Sequence, residues 1–142
     1  MNETPLYTGT REQARKDGLV KLWRDSFKAN VECKIAIESA VRRGFDGMHL
    51  ASGCAASVLE EYGAERVKYV LSATLQDKDY DGRFSRSNKS WGKKTEVAYN
   101  LANYEFVVDS HPAVLDGFID QFRAECHQRE MDHSFVPMAM TM

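Results

Sequence analysis

The stretch LVKLWRDSFKANVECKIAIESAVRRGF, residues 19–45, decides the fold class. Its apolar residues fall at Val20, Trp23, Phe27, Val31, Ile35, Ile37 and Val41. Most of these steps are three or four residues, the period of an amphipathic helix. The pattern predicts one helix from about Leu19 to Arg43. Arg42 and Arg43 fall in its last turn, where cations oppose the helix dipole, and Gly44 is the expected stop.

Upstream, residues 1–9 carry Pro5 and Gly9 and are expected to be extended. Thr10 with Gln13 three positions later has capping-box spacing, so TREQARKD reads as a short helix ended by Gly18. Downstream, Asp46-Gly47 marks a turn. Ser52 is the expected N-cap of a third helix, GCAASVLEEY, with Ala55, Val58, Leu59 and Tyr62 inward and Gly63 as its stop. AERVKYVLSATLQ then places Val67, Val70, Leu71, Thr74 and Leu75 on one face of a fourth helix.

Residues 77–93 break the helical period. Asp81-Gly82 and the run Ser85, Ser87, Asn88, Ser90 favour local turns, so this segment reads as a loop with at most one helical turn. VAYNLANYEFVVDS, from Val97, is rich in aromatic and β-branched residues, which predicts a strand near Asn103–Asp109. Its partner would be Leu6-Tyr7 or the segment before Ala102. Ser110 or His111 then caps a last helix, PAVLDGFIDQFRAECHQRE, with Pro112 in its first turn. Residues 133–142 are expected to be extended or frayed. The expected fold is mainly α: about five helices in one domain spanning 1–142, with a minor β strand pair and an α+β fold as the alternative.

The chain has 142 residues and a net charge of −2. That length suits one domain, and no apolar run approaches the roughly 20 residues of a membrane span. The start of the sequence lacks the pattern of a signal peptide, so a cytoplasmic protein with no membrane association is expected. The charge is unevenly spread. Residues 76–94 hold six Lys/Arg and three Asp/Glu, whereas residues 95–142 hold two and eight.

Three cysteines, Cys33, Cys54 and Cys126, do not suggest a disulfide framework. Cys126, His127 and His133 lack the second ligand pair of a zinc site, so no metal and no cofactor is expected. Nucleophile and phosphate-loop motifs are absent, and no catalytic residue is assigned. The enzymatic alternative would use Asp46 and His49 with Cys33 or Cys54.

The basic segment YDGRFSRSNKSWGKK, residues 80–94, is the leading functional surface. Arg83, Arg86, Lys89, Lys93 and Lys94 could neutralise phosphates or contact a protein, and Trp91 could stack on bases or anchor the segment to the core. The acidic helix, through Asp116 and Asp120, is the second surface, complementary to a basic groove.

Three runs together resemble a known family: FKANVECKIAIESAVRRGFDGMHL (27–50), VLEEYGAERVKYVLSATLQDKDYDGRFSRSNKSW (58–91) and SHPAVLDGFIDQFR (110–123). The chain is similar over roughly residues 5–123 to an uncharacterised "domain of unknown function" family carried on conjugative elements and phages of gut Firmicutes. The resemblance implies no activity. It implies an accessory protein of a mobile element, and small proteins of that kind often block host defences. The expected function is therefore a non-enzymatic inhibitor of anti-CRISPR type, binding an effector nuclease such as Cas9. The alternative is a nucleic-acid-binding accessory protein. Partners are expected to be protein first and nucleic acid second, with oligomerisation left open.

Overall fold

A computed structural model describes residues 4–97 and 105–141, with side chains to Glu130. Among them are six helices: α1 Arg11–Asp17, α2 Val20–Gly44, α3 Cys54–Tyr62, α4 Ala64–Asp77, α5 Arg86–Lys93 and α6 Pro112–Thr141. The fold is mainly α. The end of α6 takes in residues 133–141, read from sequence as extended or frayed.

The local signals at α1 work as read. Thr10 Oγ1 accepts the Gln13 N–H at 3.0 Å, and Gly18 closes the helix with φ +70°. Gln13 turns its own side chain to Asp17, at 2.8 Å, so half of the capping box is made.

α2 runs one residue further than read, through Gly44. Gly44 is the last residue of the helix, and a Cβ there would collide with Cys54 Sγ. The buried stripe is also rotated from the one read. Ala29, Cys33, Ile37, Ala40 and Val41 face inward, and Ile35 is 54% exposed. Ile35 and Ile37 are about 200° apart on a helix, so one must face out. The side with the small residues admits the other helices closely.

α3 has no side-chain cap of its own: its N-cap is Gly53, at φ +85°, and not Ser52. The Ala55 N–H instead meets Gln121 Oε1 of α6 at 3.4 Å, and Gln121 Nε2 donates to Ala51 O at 2.9 Å. A tertiary contact does the work that the sequence assigned to a local one.

α4 is buried from Arg66 through Leu75 except at Lys68. It is the central helix, packed by α2, α3 and α5. The core joins α2, α3, α4 and α6 through Ile37, Leu59, Val70, Leu71, Leu115, Phe118 and Phe122.

The strand expected near Asn103–Asp109 does not form over 105–109; residues 98–104, which include Asn103 and the segment before Ala102, lie outside the described residues. Phe106 and Val108 are buried, as β-rich residues tend to be, but their backbone has no ladder partner. The Val108 N–H donates to Thr74 Oγ1 at 2.9 Å and the Asp109 N–H to Glu38 Oε2 at 2.6 Å. Side chains of α2 and α4 take the bonds that a neighbouring strand would have taken. Leu6 packs on the core, and the Tyr7 N–H meets Ser26 Oγ at 2.9 Å. The β feature among the described residues is an isolated bridge, Phe45 with Leu50.

Candidate binding surface on the fifth helix

Residues 77–93 are not a loop. α4 ends at Asp77, and after a short turn the chain makes two helical turns as α5. Ser85 caps α5 by accepting the Asn88 N–H at 3.1 Å. Asn88 itself is fully buried. Its Nδ2 donates to Asp116 Oδ1 at 2.8 Å and Asp120 Oδ1 at 2.9 Å, and its Oδ1 accepts from Arg123 Nη1 at 2.8 Å. Asp116 Oδ1 also accepts the Ser85 N–H at 3.0 Å. The polar run that looked like loop chemistry is the docking face of a helix, and α6 supplies its partners.

Two further contacts seat α5. Gly92 lies on Leu75, where a Cβ would sit 2.9 Å from Leu75 Cδ1. Gln76 Nε2 donates to Gly92 O at 2.9 Å and Thr95 O at 3.0 Å, taking up carbonyls left open at the helix end. Trp91 is half-buried, edge-on to Phe122 with ring centroids 5.9 Å apart. The Arg123 guanidinium covers it 5.7 Å from the ring centre. Trp91 therefore anchors the helix rather than presenting a free stacking face.

The cations divide into two groups. Arg83 forks onto Asp81, Nε to Oδ1 at 3.0 Å and Nη2 to Oδ2 at 2.8 Å. That guanidinium holds the Asp81 carboxyl down at about 2, helped by the Arg83 N–H. Lys89 donates to Asp79 O at 2.8 Å and Lys93 pairs with Asp79 at 3.3 Å. Arg86 and Lys94 are exposed, and their side chains have no hydrogen bond or ion pair among the described residues. Tyr80, 82% exposed, precedes them. The outer side of α5 is thus a basic face held on a rigid mount. Beside Trp91, a groove of about 550 Å³ runs between α4 and α6, past Lys68, Phe122, Arg123, Cys126 and His127.

Asp116 and Asp120, read from sequence as a contact surface, are tied to Asn88. The basic segment and the acidic helix therefore meet through the neutral amides of Asn88 and Ser85, while the paired cations of the segment are taken up by its own Asp79 and Asp81. Asn88 was not singled out from sequence, because nothing local marks one polar residue among several as buried. Its place three residues after Ser85 was the available signal.

The residues of the enzymatic alternative fall elsewhere. Asp46 Oδ1 accepts the backbone N–H groups of Met48 and His49, each at 2.8 Å, which lowers its pKa. It thereby shapes a tight turn whose tip, Met48, is 80% exposed. His49 is exposed on the same turn, whereas Cys33 is buried and its thiol is pushed up to about 12. Cys54 packs against Gly44. His111 Nδ1 caps α6 by accepting the Ala113 N–H at 3.2 Å. Among the described residues no group of three His, Cys, Asp or Glu side chains is placed to hold a metal, and His133 lies outside the described side chains. No helix among them is long and apolar enough to cross a membrane.

A family model described as "Protein of unknown function (DUF3849)" matches residues 6–127. No curated protein and no solved structure matches the chain.

Proposed function

We propose that this chain, which belongs to the DUF3849 family of proteins of unknown function, is a non-enzymatic binding protein that contacts its partner through the outer face of α5. The supporting observation is the mount: buried Asn88 fixes α5 to α6 while Arg86 and Lys94 stay unpaired and outward. The backbone that carries these cations is fixed in advance, so only their side chains are ordered on binding. Asp79 and Asp81 stand among the cations and would repel a continuous phosphate tract. A protein surface of mixed but mainly acidic charge suits the face better.

In the fuller reading the protein is cytoplasmic, is carried by a mobile element, and inhibits a host-defence nuclease of the Cas9 kind. The engagement of Asp116 and Asp120 by Asn88 moves the expected contact away from a basic nucleic-acid channel and toward an acidic patch on the effector. The test is cleavage by reconstituted effector complexes with and without the purified protein. Inhibition that Arg86→Glu with Lys94→Glu weakens at least about tenfold, or ~1.4 kcal/mol, is the expected result. No inhibition and no co-purifying effector would sink the reading.

A second reading, nucleic-acid binding, draws on the exposure of Tyr80, in the turn before α5. It predicts single-strand binding that falls steeply as salt rises from about 50 to 200 mM. Binding that is absent at low salt removes it.

A further inference from the structure

Arg66, in the first turn of α4, is 3% exposed. A buried cation is ordinarily matched by a carboxylate, because its lost hydration is large. No carboxylate is among the hydrogen-bond partners of Arg66. Nη1 donates to Ser26 O at 2.9 Å and to Asn30 Oδ1, both on α2. Nη2 donates to Thr4 O at 2.7 Å and Pro5 O at 3.0 Å. The guanidinium is solvated by neutral oxygens, and two of these belong to the extended segment before α1.

That segment, residues 4–7, lies as a strap over the seam between α2 and α4. It is held through main-chain atoms: the carbonyls of Thr4 and Pro5, and the Tyr7 N–H on Ser26 Oγ. Leu6 adds the apolar contact with the core. Two consecutive carbonyls, one apolar side chain and one N–H are features any extended peptide of the right register can offer. The seam therefore reads a main chain, with Leu6 giving most of the selectivity.

We propose that the α2–α4 seam is a receptor for extended peptide, filled here in cis by residues 4–7, and that the same segment of a second copy of this chain can replace it. The neutral acceptors point to this occupant, since the strap already meets every requirement of the site. An acidic ligand would meet Asp25 and Glu32 on the rim beside Lys28, with Lys21 already paired to Asp25 at 2.8 Å. Tethering gives the cis strap an effective concentration on the order of mM, so exchange emerges when the cis contact is weakened or the protein is concentrated.

The probe is a fluorescent synthetic peptide of residues 2–9, NETPLYTG, titrated with the full chain by anisotropy. Leu6→Ser in the chain loosens the cis strap and leaves Arg66 intact, so it should tighten peptide binding about tenfold. Leu6→Ser in the peptide should weaken it by a similar factor, and Arg66→Lys, which breaks the planar fork, should weaken it as well. Circular dichroism confirms that each chain is folded, and Leu6→Ala replaces any Leu6→Ser chain that is not. A folded Leu6 variant that leaves the peptide unbound overturns the proposal. So does an effect of the same sign from the two Leu6 changes, or binding indifferent to Arg66→Lys.

Discussion

The side-chain amide of Asn88 donates to Asp116 Oδ1 at 2.8 Å, joining the centre of α5 to the first turns of α6. Through this bond and its neighbours a basic segment and an acidic helix become one unit. The first prediction tests it. Asn88→Ala should cost about 3 kcal/mol in urea denaturation, because it removes hydrogen bonds to two carboxylates and leaves Arg123 short of an acceptor. Asn88→Asp should be worse near neutral pH and milder at about pH 4. The new buried carboxyl faces Asp116 and Asp120, so its folded pKa lies above its unfolded one. Its penalty is absent below the unfolded value and grows as pH rises through that value toward the folded one. A penalty for Asn88→Asp that does not change with pH would count against this placement.

Two glycines in helices should respond to alanine with opposite signs. Gly92→Ala drives a Cβ to 2.9 Å from Leu75 Cδ1 and should destabilise by about 1–3 kcal/mol. Gly117, in α6, has nothing within 4 Å of its Cβ position, and Gly117→Ala should stabilise by about 0.5–1 kcal/mol. Thermal melts of the pair suffice to check both signs.

Thr74 carries the backbone of Val108. Its Oγ1 accepts the Val108 N–H at 2.9 Å and donates to Val70 O at 2.9 Å. Thr74→Val keeps the shape and removes the acceptor, so a buried N–H is orphaned at about 1–3 kcal/mol. Hydrogen exchange should show the Val108 amide losing protection before the amides of α4.

Asp81 should titrate at about 2 by carbon-detected NMR, against 3.8 for an ordinary aspartate. The folded pKa is depressed, so the Arg83 pairing stabilises the turn fully above the unfolded value and is lost as pH falls through about 2. Arg83→Ala should move the midpoint up toward the ordinary value. An unchanged midpoint would mean that backbone N–H bonding alone sets it.

The period-3.6 segments were legible because a helical period is encoded locally. Residues 20–41, 55–62, 67–75 and 114–122 each showed their spacing without reference to anything else. The basic segment was legible as charge but not as structure. Ser85, Asn88 and Gly92 form a helix because Asp116, Asp120, Arg123, Leu75 and Gln76 are waiting for them, and no window around residue 88 contains that information. The stretch around Val108 misled for the same reason. Its composition is that of a strand, yet Thr74 and Glu38 satisfied its amides before any ladder was needed.

The sequence by itself determined the helical class, the caps of α1 and the turn at Asp46, since each rests on atoms within a few residues of one another. Tertiary structure alone decided which face of α2 points inward, how α3 is capped and that Arg66 is buried among neutral oxygens. Burial and long-range hydrogen bonds set those outcomes, and the bonding partners lie 36 to 70 residues away in the chain.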